Sequence, residues 1–324
     1  MAVRIGLVGA GGIGRYHVDQ LAKLDDVQIV GVADIVLPRA EELAQRAGGC
    51  RAFSSHIEMY DATTPDAVCI GIPPFAHTDQ VTAAAERGIA VFVQKPPALT
   101  MEKARAVASV INQTHTISAV GFQDRYLDVI AEAKQALVGQ EPGLAMGYWM
   151  GGFPEVGWWR RRSGSGGQAV EQTIHIFDSA RYLFGEAESV VATAQTGLMT
   201  HVPDYDIDDS SAMTIRFRSG VLCTIFSACF LREAPGRAGM DIFCRDLKVE
   251  YDLRSSVRIR DRRVTREVRC TNDFNRDCMK TFVDAVRSGD PSAIRSPYAD
   301  AVETLALPLA GERSRQTGTV VRLD

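Results

Sequence analysis

A glycine-rich turn, Gly9-Ala10-Gly11-Gly12-Ile13-Gly14, separates the apolar run Arg4 to Val8 from an amphipathic segment running from Gly14 to Leu24. Strand, turn and helix in that order tie the G-x-G-x-x-G spacing to one local geometry. Gly9 permits the tight turn, Gly11 lets the backbone approach a pyrophosphate, and Gly14 allows close helix–strand packing. Gly12 and Ile13 are taken with them as cofactor-contacting positions, and the helix N-terminus favours the negative charge. Asp34 lies twenty residues beyond Gly14, after the second apolar run Val27 to Ala33. A carboxylate there accepts hydrogen bonds from ribose hydroxyls and repels a 2′-phosphate, which favours NAD over NADP. Arg39 is close enough to weaken that preference, so NADP stays open. The plainer reading of the same residues is a bare glycine turn with a helix-capping Asp.

The rhythm set by this unit continues. Helices are expected at Pro38–Ala47, His77–Arg87 and Thr100–Thr114, the last capped by Thr100. Strands are expected at Ala67–Ile72, Ala90–Val93 and Ile117–Gly121. Such alternation indicates βαβ units around a parallel sheet. Beyond Gly121 the pattern changes to a helix at Arg125–Val138, a strand at Ala145–Met150 and a helix at Gln168–Phe184. A series of short strands then fills Ser189 to Val268. Two helices close the chain, the second capped by Ser296 with Pro297 at its first position. The expected fold is therefore an α/β Rossmann domain, a doubly wound parallel sheet over residues 1–121. An α+β domain with a large, mostly antiparallel sheet follows over 122–324. A chain of 324 residues suits two such domains.

Composition narrows the function. A net charge of -4 leaves no basic footprint for nucleic acid. No stretch approaches the ~20 apolar residues that span a bilayer, and Met1 to Val8 shows no signal-peptide pattern. Seven scattered cysteines, without a Cys-x-x-Cys pair, suit reduced thiols in a cytoplasmic protein and argue against a zinc site.

Several side chains then stand out. Lys95 ends the run Ala90–Val93, where ligands meet the carboxyl ends of parallel strands; alone it would be a lysine leaving for solvent. Ile72, Pro73 and His77 follow the preceding strand as a wall of the cofactor cleft, although His77 serves equally as a helix-start hydrogen bonder. Glu171, His175 and Asp178 recur at i, i+4 and i+7, on one face of the expected helix. A carboxylate one turn from a histidine can hold its ring for general base catalysis, and the same spacing occurs on solvated helices. Trp158-Trp159-Arg160-Arg161-Arg162 offers aromatic platforms for sugar rings and arginines for anionic groups. An interdomain or oligomer contact is the other reading.

The chain resembles the Gfo/Idh/MocA oxidoreductases, which act on sugars, cyclitols and related polyols. The resemblance is carried by the glycine turn, Pro73–His77, Gln94-Lys95-Pro96, Gly121-Phe122-Gln123-Asp124-Arg125-Tyr126 and Gly166 to Asp178. It implies a Rossmann domain followed by an α+β domain whose open sheet mediates homodimers or homotetramers. It also implies that Lys95 bonds the reacting hydroxyl and that His175 is the general acid/base. Glu171 stands where many members carry Asp, and Gln94 where the usual residue is Glu. Gln94 and Gln123 are placed at the cofactor, and Arg125, Trp158, Arg160 and Gln172 at the substrate, Arg125 being open to a structural role as well. The implied activity is NAD-dependent oxidation of a CH–OH carbon. NAD-assisted glycoside cleavage and a turnover-free nicotinamide-binding regulator are its rivals.

Overall fold

In the computed structural model, residues 2–323 are described; Met1 and Asp324, the outer limits of the two expected domains, lie outside the described residues. The elements run β1 (Val3–Val8), α1 (Gly12–Leu21), β2 (Val27–Ala33), α2 (Leu37–Arg46), β3 (Arg51–Phe53), α3 (His56–Thr63), β4 (Ala67–Ile70), α4 (Gln80–Ala85), β5 (Ala90–Val93), α5 (Met101–Gln113) and β6 (Ser118–Val120). They continue as α6 (Asp128–Ala136), β7 (Pro142–Met150), α7 (Arg162–Ser165), α8 (Gln168–Glu171), α9 (Ile174–Phe184), β8 (Ala187–Gln195), β9 (Ser210–Phe217) and β10 (Leu222–Ala228). The remainder is β11 (Arg237–Cys244), β12 (Lys248–Asp252), β13 (Ser256–Arg260), β14 (Thr265–Arg269), α10 (Phe274–Ser288), α11 (Tyr298–Thr317) and β15 (Val321–Arg322).

Two compact units result: residues up to Gln123 together with Asp273–Val302, and Asp124–Asn272 together with the segment from Glu303 onwards. The first holds a sheet ordered β3-β2-β1-β4-β5-β6, parallel throughout. Strands β4 and β5 are buried at every position, as apolar runs covered on both faces must be. Helix α10 joins this unit despite its distance in sequence because Phe282 packs edge-on against Phe92 of β5, 5.5 Å between centroids.

The second unit holds a nine-stranded sheet ordered β14-β13-β12-β11-β7-β10-β9-β8-β15. Every pairing in it is antiparallel except β7 with β10. Helix α9 covers one face, where Ile176 leaves no room for a side chain at Gly147 of β7. Alternation sends Leu144, Leu222 and Phe226 to the other face, with 43%, 38% and 38% of their surface exposed.

Several elements differ from expectation. Strand β3 and helix α3 add a βα step, with Ser55 capping α3 through Glu58 N–H. The helix expected from His77 begins only at Gln80, because Pro74–Ala76 forms a 3-10 turn that His77 closes. A second 3-10 turn, Gln123–Tyr126, shortens the helix expected from Arg125 to α6. Thr100 caps α5 through Lys103 N–H. Ser296 does not cap α11: its hydroxyl donates to Val120 O, while Tyr298 N–H donates to Ser118 Oγ. Helix α11 also runs past Pro308 to Thr317.

Candidate active site

The carboxyl ends of β1, β2, β4, β5 and β6 bring one set of residues together in the first unit. Gly9 has φ +98°, and a Cβ on it would lie 2.6 Å from Gly71 O. A Cβ on Gly14 would lie 2.1 Å from Gly9 O, so the helix must start against the bare turn. Gly11 and Gly12 face open space, and no side chain caps the start of α1. Its first N–H groups are therefore available to an anion. Asp34 binds the turn from below: Oδ2 accepts Ala10 N–H at 2.8 Å and Oδ1 accepts Val36 N–H at 2.8 Å. Ile35 beside it is 92% exposed. An open glycine cradle, uncapped N–H donors and an acidic residue at the ribose position fit a bound dinucleotide.

Around this cradle, Ile72 Cγ2 would block a Cβ at Gly9, and Ile13 Cγ2 would block one at Gly71. Gln123 Oε1 and His77 Nε2 are buried and meet no hydrogen-bond partner among the described residues. Burial lowers the His77 pKa to about 4, against a hydrogen bond with the Ile72 backbone that raises it, so the ring is neutral at pH 7. Gln94 is buried, its Oε1 accepts Lys95 N–H at 3.2 Å, and its Nε2 stands 3.5 Å from His17 Nε2. Gln94 thus faces a fully buried imidazole whose pKa desolvation lowers to about 4. Lys95 itself is half-buried.

The second unit gathers the other set. Gly166 and Gly167 adopt φ +77° and +94° and launch α8, which ends after one turn. Gln172 and Thr173 N–H both turn back to Gln168 O, and Ile176 N–H to Thr173 O, so α9 starts afresh. The single helix expected over Gln168–Phe184 is broken there, and Glu171 does not share one continuous helical face with His175 and Asp178. Glu171 Oε2 instead accepts a 2.5 Å hydrogen bond from Trp159 Nε1. Asp178 is occupied by Arg125, whose Nε and Nη2 reach its two oxygens at 2.9 and 2.7 Å, and by the Thr304 hydroxyl at 2.9 Å. The carboxylate placed at His175 Nδ1 is Asp124, with Oδ2 at 3.4 Å, and both residues are buried. Trp149 stacks on the His175 ring at 6.0 Å.

Trp158 packs with Phe153 and Tyr205 against Trp159, Ile207 and Cys229. Of the three arginines after it, Arg161 pairs with Asp204 at 2.7 Å, and Arg162 with Asp208 and Glu312 at 3.1 and 3.0 Å. Arg160 Nε is buried and meets no acceptor among the described residues. Gln172 Oε1 accepts from Gln168 Nε2 at 3.1 Å.

The roles of Asp124 and His17 escaped the reading from sequence, and Trp159, read there as a platform for sugar rings, is instead 2% exposed and donates to Glu171. Asp124 lies fifty-one positions from His175, and no local spacing links them. The lone His17, three residues after Gly14 on the buried side of α1, gave only the signal of an ordinary core histidine.

Residues 3–122 match the model of the oxidoreductase family with the NAD-binding Rossmann fold, and residues 143–248 match the GFO/IDH/MocA C-terminal domain. Inositol 2-dehydrogenase of Rhizobium meliloti is 33% identical over 226 residues, 68% of this chain and 67% of that protein. scyllo-Inositol 2-dehydrogenase (NAD+) of Bacillus subtilis is 27% identical over 338 residues, 99% of this chain and 96% of that one. The crystal structure of a myo-inositol dehydrogenase from Corynebacterium glutamicum superposes with a TM-score of 0.83 at 25% identity, covering 100% of this chain and 99% of the other. The chain belongs to the Gfo/Idh/MocA oxidoreductase family and is an NAD-dependent dehydrogenase acting on CH–OH groups.

Proposed function

We propose that the substrate is a cyclitol, a sugar or a related polyol, and that His175 and Lys95 act on the hydroxyl being oxidised. Bound NAD supplies hydride acceptance, held by Gly9, Gly11, Gly12, Ile13, Gly14 and Asp34, with Ile72, Pro73, His77, Gln94 and Gln123 beside it. His175 takes the hydroxyl proton, and Lys95 stabilises the negative charge growing on that oxygen. Glu171, steadied by Trp159, and Gln172, Trp158 and Arg160 orient the substrate. Arg125 serves structurally, because its guanidinium is engaged by Asp178.

The observation that carries this reading is the His175 site, a buried imidazole with a carboxylate at Nδ1, in a chain that also presents an open dinucleotide cradle. The names of the relatives, inositol dehydrogenases among them, support net oxidation over NAD-assisted glycoside cleavage and over a turnover-free regulator. The apolar face of Leu144, Leu222 and Phe226 supports a homodimer or homotetramer built on the nine-stranded sheet. Seven free cysteines support a reducing, cytoplasmic setting. The test is a panel of cyclitols and sugars with NAD and with NADP, followed by nicotinamide absorbance. NADH accumulation on at least one polyol is expected. Tight NADH binding with no transfer across the panel would leave the regulator.

A further inference from the structure

Asp124 stands between two cations of different kinds. On one side Arg254 grips it through Nε–Oδ1 at 2.7 Å and Nη2–Oδ2 at 3.2 Å. On the other its Oδ2 meets His175 Nδ1 at 3.4 Å. The carboxylate is 1% exposed, whereas the arginine side chain is 32% exposed. Arg254 occupies the turn between β12 and β13 with φ +58°, a conformation few non-glycine residues adopt. Its own N–H donates to the buried Tyr251 hydroxyl at 3.3 Å, which pins the turn under Asp124. A solvated surface arginine would need neither the turn strain nor the bidentate reach.

We propose that Asp124 and Arg254 are positioning residues that set the tautomer and basicity of His175. Asp124, held ionised and oriented by Arg254, lies at ion-pair distance from Nδ1, just outside hydrogen-bond geometry, and is the acceptor Nδ1–H takes when the site closes on substrate. Nε2 is thereby left with its lone pair free to take the substrate hydroxyl proton. Once protonated, the ring keeps Nδ1–H on Asp124 and carries the new proton on Nε2. Arg254 moderates the anion, so the imidazolium is stabilised less than by a bare carboxylate. The sequence reading assigned this supporting role to Glu171, whose Oε2 accepts Trp159 Nε1–H.

Other groups around His175 leave this assignment to Asp124. Asp178, on the same helix, is neutralised by Arg125. From β10 comes Cys223, its thiol pushed up to about 12 by burial. Tyr251 is kept protonated by burial and, secondarily, by the charge of Asp124. Glu171 precedes the helix break.

This inference rests on His175 being the acid/base group, and the two can be tested apart. Histidine-selective 15N NMR of the intact protein reads the His175 tautomer without any turnover, with His175→Gln used to assign the signal. The Nδ1–H form is expected; an Nε2–H form overturns the proposal whatever the kinetics show. The pH profile of kcat/KM for oxidation then tests the electrostatic influence of Asp124 and Arg254 on His175. Asp124→Asn should move the acidic limb down by about one pH unit. Arg254→Gln should move it up by a smaller amount, because Arg254 is partly solvated, and Arg254→Lys should restore most of the wild-type position. A structural role alone would lower the folded fraction in all three without opposite shifts, and shifts of the same sign would overturn the proposal. If His175→Gln retained wild-type turnover, the acid/base reading would fail, while the tautomer would still report on Asp124.

Discussion

Arg125 and Asp178 form a bidentate pair sealed inside the second unit, with side chains 5% and 1% exposed. The pair fastens the 3-10 turn that carries Asp124 to the helix that carries His175. A charge pair so placed stabilises little by itself, but breaking it strands a buried charge. The adjacent Asp124–His175 contact therefore depends on an ion pair that ties the turn of Asp124 to the helix holding His175.

Removing one member of that pair should be severe. Arg125→Met or Asp178→Ala is expected to cost about 3–5 kcal/mol. Chemical denaturation of the purified variants would read the loss. Wild-type stability in either would show that the pair does not hold the turn.

The glycines should separate folding from cofactor binding. Gly14→Ala forces a Cβ to 2.1 Å from Gly9 O and should lower the thermal midpoint sharply. Gly11 has nothing within 4 Å of an added Cβ and φ -79°, so Gly11→Ala should fold normally. It should still weaken NAD, whose pyrophosphate would lie against that backbone. Calorimetric NAD titration beside thermal melts decides the matter; equal effects in both variants would refute the division.

Asp34 should govern the choice of dinucleotide. Its carboxylate both ties Ala10 N–H into the turn and opposes a 2′-phosphate. Asp34→Ser is expected to weaken NAD by roughly 10- to 100-fold, the scale of a lost charged hydrogen bond, while raising relative use of NADP. An unchanged NAD/NADP ratio in kcat/KM would contradict the role.

Much of this was legible in the chain. The glycine turn, the buried runs of β1, β4 and β5, and the change of rhythm after Gly121 follow from periodicity and glycine placement, both local properties. What escaped depends on distant partners. The helix over Gln168–Phe184 reads as continuous because propensity carries no sign of the return of Gln172 and Thr173 N–H to Gln168 O. Glu171 looked like the carboxylate for His175 because i, i+4 is the only relationship a sequence displays. Asp124 reached that place from another element. Gln94 was read as standing in place of the usual Glu at the cofactor; that its amide also turns to Lys95 N–H and His17 is something no spacing could signal.

One buried and one half-buried histidine should make the first unit acid-sensitive. His17 and His77 each have a folded pKa lowered to about 4, by burial in both cases. The unfolded chain binds those protons near the ordinary value of about 6.5, so it takes up more protons between the two values. Stability is full above about pH 6.5 and falls as pH drops towards 4, by about 3 kcal/mol per histidine at most. Denaturation midpoints measured across that window should fall with acidity, less steeply in His17→Gln. A flat profile in the wild type would refute the neutral, buried state.

Deuterium tracing goes most directly to the chemistry. A polyol that supports NADH formation would be supplied with deuterium on the carbon bearing the reacting hydroxyl, and the nicotinamide recovered after turnover. Deuterium at nicotinamide C4, with an equal amount of ketone formed and the signal abolished by His175→Ala and by Lys95→Ala, is the result expected of this dehydrogenase. Turnover in which deuterium stays with the product or washes into solvent, with no net NADH, would contradict it.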